Sequence, residues 1–268
     1  MSTVAKSVGK HLKLMLIYFK YNLLREMENR VSFFSQILFM ILNNSFFLVQ
    51  WMIFFSLKDN IGGYMFNDIL TLWAFASSVY GLSHMFFENV YYMSDLITTG
   101  KLDVYITQPQ NILFNIAISK TNPSAIGDLI YGYILAIIAT KFNIYYMLIF
   151  TLLTIMGALI LTAFSIISGS LTFWIKKGDS VCYSLNYIVI AASTYPEGIF
   201  GGFIKVILFT IIPVGFMFYI PVQIMSTFNL ALFLSVFLVT VIFVSLAFIL
   251  FYKGLRRYSS SCLMASRI

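Results

Sequence analysis

Charged residues are scarce in this chain. Asp, Glu, Lys and Arg supply 10% of its 268 residues, against about 25% in a soluble globular domain, while 60% are hydrophobic and the mean hydropathy is +0.90. No water-soluble fold can hide that much apolar surface. Histidine and cysteine are equally sparse: His11, His84, Cys182 and Cys262 complete the set. They form no cluster with metal-ligand spacing and no His-Glu-x-x-His pair, which excludes a zinc enzyme. Phosphate-binding Gly-x-x-x-x-Gly-Lys-Ser/Thr is missing, and no soluble block is large enough for an ATPase, so the chain cannot hydrolyse ATP alone. The first thirty residues lack a short apolar run ending at a small-residue cleavage site, and a cleaved signal peptide is not expected.

What is present is a series of apolar segments, each about the ~20 residues that a membrane-spanning helix requires. The pattern predicts an all-α integral membrane protein. Residues 1–30 form a tail with an amphipathic interfacial helix, and residues 31–268 a single transmembrane domain. In the helix, Val8, Leu12, Met15, Phe19, Leu23 and Met27 share one face, with Lys10, Lys13, Lys20 and Arg25 largely off it. Six transmembrane helices are expected at about 33–57, 66–92, 124–140, 144–175, 181–195 and 230–252. A polar connector fills 94–123, and the third and fourth spans are joined only by Lys141, Phe142 and Asn143.

The positive-inside rule sets the orientation. A cytosolic N-terminus and six crossings keep Lys6, Lys10, Lys13, Lys20, Arg25, Arg30, Lys101, Lys120, Lys176, Lys177, Lys253, Arg256, Arg257 and Arg267 inside. Only Lys58, Lys141 and Lys205 lie outside. A seventh crossing would send Lys253, Arg256 and Arg257 outward. The apolar stretch 206–225, with Pro213 and Pro221 each lacking a backbone donor, is therefore read as re-entrant. A full crossing there with a re-entrant fifth segment is the alternative. Both cysteines then fall at or near the reducing cytosolic side, and no disulfide is expected. The net charge of +7 is spread around membrane segments, which fits topology control and lipid headgroups and gives no reason to expect nucleic acid.

Chemistry-bearing residues are few. Gln36, Asn43 and Gln50 recur every seven residues along the first span, continuing Asn22 and Asn29, with Asn44 beside them. Because a seven-residue step drifts only ~20° per heptad, they form one polar stripe that should face protein or water, as a subunit seam or a translocation path. His84 and Glu88 stand four apart, spaced to stabilise one another or to share a proton. Gly127-Asp128 and Gly178-Asp179 superficially resemble an aspartyl protease dyad, but both aspartates are expected at helix ends. The aromatic content of 18% includes Phe46, Phe47, Trp51, Phe54 and Phe55 on the outer half of the first span, where rings fill helix interfaces or line a greasy path.

The order of parts resembles the type-2 ABC transporter permease family, in its bacterial branch. The motifs that carry the likeness are Glu26-Met27-Glu28-Asn29-Arg30, Thr99-Gly100-Lys101-Leu102-Asp103 with Gln108-Pro109, Tyr195-Pro196-Glu197-Gly198-Ile199-Phe200, Ile212-Pro213 to Tyr219-Ile220-Pro221, and Gly254-Leu255-Arg256-Arg257-Tyr258. The resemblance implies an exporter subunit of the bacterial cytoplasmic membrane, such as a multidrug or antibiotic efflux permease. It would pair with a second permease, identical or paralogous. It would also bind ATP-binding-cassette ATPase subunits, which hold ATP and Mg, so that this chain needs no cofactor.

By position, ATPase coupling falls on Gly100, Lys101, Leu102, Asp103 and Val104. Leu102, Val104 and Ile106 would fill an apolar pocket of the ATPase, so Leu102→Asp is expected to insert normally yet uncouple ATP hydrolysis. Tyr195, Pro196, Glu197, Pro213 and Pro221 match the family's re-entrant or gating region. The rival readings are an ion-gradient-driven secondary transporter, which needs paired ionisable residues within the membrane, and an intramembrane enzyme.

Overall fold

The computed structural model describes residues 2–175 and 178–259, with side chains from Gly9 onward. Lys176, Lys177, Cys262 and Arg267 lie outside the described residues, as do the side chains of Lys6 and Val8. Among the described residues the structure is helical, with one isolated bridge between Ile61 and Tyr64. The helices are α1 (Ser2–Glu26), α2 (Arg30–Leu57), α3 (Phe66–Phe87), α4 (Met93–Thr98), α5 (Asp103–Ile106), α6 (Ile112–Ile118), α7 (Ser124–Thr140), α8 (Ile144–Ser170), α9 (Gly178–Ser193), α10 (Gly202–Thr210), α11 (Ile220–Ser226) and α12 (Leu230–Leu255). A π-helical turn, Gly215–Tyr219, leads into α11.

Their boundaries follow from local chemistry. Asn29, Asn111, Asn143 and Asn229 each cap the helix that follows, accepting a hydrogen bond from a backbone N–H in its first turn. The expected turn between α7 and α8 is as tight as the sequence predicts, and it places two non-glycine residues, Lys141 and Phe142, in the left-handed region.

By length and composition, four helical stretches among the described residues can cross a membrane: α2, Phe66–Thr98, Ile144–Phe173 and α12. The bent pair Gly202–Thr210 and Gly215–Ser226 makes a fifth if it is one span. Six spans are not reached on this criterion, because α7 has 17 residues and α9 has 16, short of the usual ~20. The second helix also runs on further than expected. Glu88–Tyr92 forms a 3-10 turn and α4 continues to Thr98, with Met93, Ser94, Leu96 and Ile97 buried.

The bundle has two ends. One carries the connector α4–α6 together with Lys253, Gly254 and Phe173, whose ring lies against Gly254 and Phe251. The other carries the 58–65 hairpin, the Lys141 turn and residues 195–201, where Gly198 packs against the backbone of Gly62. The bent pair turns by 76°. Its break comes level with the middle of the bundle, where Tyr80 stacks on Phe218 and Gly157 meets the Met217 carbonyl. Lys205 from one arm and Gln223 from the other both reach Glu197, so both arms belong to the hairpin end. Pro213 sits at the break. Pro221 lies where the π-helical turn Gly215–Tyr219 passes into α11, inside one continuous arm, so the sharp break falls at Pro213.

The tightest helix pair is α3 with α7, and small residues allow it. A Cβ on Gly81 would lie 2.6 Å from the Leu129 backbone nitrogen, and one on Gly132 2.2 Å from the Ser78 Oγ. Gly127 does the same on the next face, where an added Cβ would approach the Ile37 carbonyl of α2 to 2.5 Å. Thus α7 sits wedged between α2 and α3 at backbone contact.

Candidate functional site

That wedge borders a cavity. About 290 Å³ in volume, it lies between α2, α3, α7 and α9 and is lined by Asn43, Asn44, Phe47, Trp73, Ser77, Tyr80, His84, Asn122, Asp128, Ser193 and neighbours. Its wall is mixed. Phe47 and Trp73 stack with ring centroids 5.2 Å apart, and Tyr80 stacks on His84. Against these rings stands a polar group. The Asn44 side-chain amide donates to the Asp128 carboxylate at 2.6 Å, and the Tyr131 hydroxyl donates to the Asn44 backbone carbonyl at 3.3 Å.

The sequence-predicted polar stripe is thereby divided. Asn43 and Asn44 reach the cavity, whereas Gln36 donates to Ser32 on its own helix and Gln50 is exposed. Asn22 and Asn29 serve other ends: Asn22 fastens α1 to the Ile118 carbonyl at 3.2 Å, and Asn29 caps α2. Asp128, read from the sequence as a helix-end charge, is buried one turn into α7. Only the α2–α7 crossing at Gly127 reveals it, and no local signal announces that crossing. Trp73, Ser77, Tyr80 and Ser193 were likewise not singled out, since aromatic and hydroxyl residues on an apolar helix read as ordinary packing.

At the connector end of the cavity, His84 Nδ1 lies 2.5 Å from Glu88 Oε2, so the spaced pair does meet. Asn122 links the pair to the connector: its backbone N–H donates to the His84 carbonyl at 3.2 Å and its amide to Glu88 at 3.4 Å. The connector is well anchored elsewhere too. Asn89 donates to Tyr105 at 2.9 Å and to Ser119 at 2.8 Å, Asn115 donates to Gln108, and Tyr183 of α9 donates to Asp95 at 2.8 Å.

The expected coupling residues separate into inward and outward sets. Gly100 ends α4 in the left-handed region at φ 76°, a turn that glycine makes without strain. Leu102 is 0% exposed and packs with Val90, Met93, Leu113, Ile116 and Phe251 in a core of this chain. It therefore cannot reach a pocket on another protein without leaving its own. Lys101 is exposed, Asp103 half-buried, and Val104 and Ile106 present apolar surface outward. An aspartate at position 102 would be buried in that core, so Leu102→Asp disrupts the packing of this chain and does not leave it normally inserted.

At the hairpin end, Glu197 pairs with Lys205 at 2.5 Å, Trp51 packs edge-on against Tyr195, and Pro196 opens the 3-10 turn Glu197–Ile199. These residues join the 195–201 turn to α2 and the bent pair. Among the described residues no group of three or more His, Cys, Asp and Glu side chains could hold a metal ion.

A cavity set between apolar helices and bordered at one end by the structured polar connector, in a bundle with at least four described helical stretches long and apolar enough to cross a bilayer, marks a multi-pass membrane protein. The sequence profile described as ABC-2 family transporter protein matches residues 39–262, nearly the whole of the chain beyond α1. The chain belongs to the ABC-2 transporter family. No curated protein and no solved structure matches it.

Proposed function

We propose that this chain is the membrane-spanning permease subunit of an ATP-binding-cassette exporter, forming the translocation path and coupled to separate ATPase subunits that bind ATP and Mg. The observation that carries the reading is the connector. It begins as a continuation of α3, exposes Lys101, Val104 and Ile106 at one end of the bundle, and returns to the cavity at Asn122. A push on α5 is thus transmitted through the Asn89–Tyr105–Ser119 bonds and the Asn122–Glu88–His84 contacts to the cavity wall. Such a path requires packed side chains with few alternatives, and the second core supplies them.

The connector end also carries Lys101, Lys120, Lys253, Arg256 and Arg257, and the hairpin end Lys58, Lys141 and Lys205. That distribution supports cytosolic termini in a bacterial cytoplasmic membrane. We read α10–α11 as re-entrant from the outer face, and α2, α3, α7, α8, α9 and α12 as the six crossings. The exposed face of α2 bearing Gln50 and Asn43 is the seam for a second permease. An ion-gradient-driven transporter is the second reading, favoured by the burial of Asp128 beside His84 and Glu88.

Mild-detergent purification of the tagged protein from its native membrane tests the choice. Recovery of an ATP-binding-cassette subunit, with nucleotide-dependent transport, is the expected result. Absence of any ATPase together with transport driven by an ion gradient alone overturns it in favour of the second reading.

A further inference from the structure

The cavity wall has a charge and a shape that restrict what it can hold. Asp128 accepts one hydrogen bond, from Asn44, and has no ion-pair partner among the described residues. The nearest cationic candidate, His84, is held by Glu88. No Lys or Arg among the described residues lines the cavity. A carboxylate withdrawn from water into an apolar bundle is costly unless something positive accompanies it, and His84, the basic residue on the same wall, already pairs with Glu88.

The remaining lining has the character of a cation receptor. Phe47, Trp73 and Tyr80 contribute aromatic rings; Tyr80 is stacked on both His84 and Phe218, so the faces that attract a cation, most strongly where water is excluded, are those of Phe47 and Trp73. Ser77, 4% exposed, lines the same cavity, and its Oγ has no protein partner among the described residues, which leaves an acceptor for an N–H or for water carried by a ligand. The volume of about 290 Å³ is at the lower end of the ~300–1,000 Å³ range of small-molecule sites. It fits a compact amphiphile or the head of a larger one, and not a folded peptide.

We infer that this cavity binds an organic cation, an aromatic or alkyl amine or quaternary ammonium, with Asp128 as counter-charge and Phe47 and Trp73 as the aromatic wall. The inference rests on the reading of the cavity as part of the translocation path, and it names the substrate class for it. Asn44 is a positioning residue. Its amide holds the carboxylate toward the space between α2, α3 and α7 and prevents it from turning into the helix interface. A cation entering the site replaces the missing ion-pair partner, and an anion meets an uncompensated carboxylate.

Equilibrium dialysis of the full-length chain in lipid nanodiscs, with empty nanodiscs subtracted, tests this. The probes are benzyltrimethylammonium, its uncharged carbon isostere neopentylbenzene, and the anion benzylsulfonate. Saturable binding of the cation, at least about tenfold tighter than either analogue, is expected from a paired charge plus the ring contacts. Asp128→Asn abolishes that preference and Asp128→Glu retains most of it. Comparison of the three probes on the unmodified protein does not depend on any variant folding. Equal binding of all three, no saturable binding of the cation, or an unchanged preference in Asp128→Asn overturns the proposal.

The assay needs no ATPase, so the two readings fail separately. Charge-selective binding without any co-purifying ATPase removes the exporter assignment and leaves the site. A co-purified ATPase whose turnover is indifferent to the cation, in a chain that does not bind it, removes the site and leaves the exporter.

Discussion

Asn44 of α2 donates a hydrogen bond to Asp128 of α7 across a distance of 2.6 Å, joining residues 84 apart in the chain inside the bundle. Removing the donor leaves a buried carboxylate unsatisfied, a loss of about 1–3 kcal/mol. Asn44→Leu is expected to lower the thermal midpoint in detergent by several degrees. Asp128→Asn in the same chain should recover much of the loss, because the charge is gone. A double-mutant cycle measures the coupling, and simple additivity of the two changes would show that the bond carries no energy.

The α3–α7 contact makes a different prediction. A Cβ at Gly132 meets the backbone of Ser78 and Ala74 at 2.7 and 2.8 Å as well as the Ser78 side chain. Backbone cannot rotate away as a side chain can, so Gly132→Ala forces the helices apart, at a cost of about 1–3 kcal/mol. Gly201→Ala, where an added Cβ meets nothing within 4 Å, is the matched control and should be neutral. Equal thermal midpoints for the two variants would contradict the close approach.

Leu102 and Val104 are two residues apart, yet the structure gives them opposite roles. Leu102→Ala truncates a fully buried side chain and should destabilise by ~2–5 kcal/mol. Val104→Asp alters a side chain that is 61% exposed. It should leave folding and midpoint unchanged while reducing stimulation of ATP hydrolysis by transported substrate. Uncoupling by Leu102→Ala at unchanged stability, with Val104→Asp silent, would reverse the assignment.

The hairpin end separates a charge from a contact. The Lys205–Glu197 pair is partly exposed on the lysine side and should contribute only ~0–1 kcal/mol, so Lys205→Ala is expected to be nearly neutral in a thermal melt. Gly198→Ala is not, because its Cβ would fall 1.9 Å from the Gly62 carbonyl oxygen. It should detach the 195–201 turn from the 58–65 hairpin and expose both to protease. A melt in which Lys205→Ala is the more damaging of the two would count against this packing.

These residues also show what the sequence makes legible. Helix α7 runs from Ser124 to Thr140, the limits that its apolar run predicts. The Lys141–Asn143 turn was readable because a three-residue break between apolar runs leaves no other solution. The interruption at Pro213 was equally readable, since proline forbids a regular ladder whatever surrounds it.

Burial within polar segments was not. Residues 94–123 carry enough polar side chains to look solvated, but Leu96, Ile97, Leu102, Leu113, Ile116 and Ile118 are spaced to enter a core. That spacing becomes visible only once α8 and α12 are known to cover it. Asp128 escaped for a related reason: position along a helix gives depth only if the helix is not overlapped by a longer neighbour, and α2 extends past it. The amide stripe was half informative. Heptad spacing put Asn43 and Gln50 on one face, whereas Asn44, one step off that face, is the amide that meets the carboxylate.

Crosslinking at α5 tests the central claim most directly. With Cys182 and Cys262 replaced by serine, Val104→Cys and, separately, Asn60→Cys are introduced, labelled in native membranes with a short reagent that carries one thiol-reactive and one photoreactive group, and irradiated. The account predicts that Val104→Cys yields an adduct containing an ATP-binding-cassette subunit, while Asn60→Cys yields none. An adduct from Asn60→Cys alone, or labelling of Val104→Cys by a membrane-impermeant reagent added outside intact cells, would contradict it.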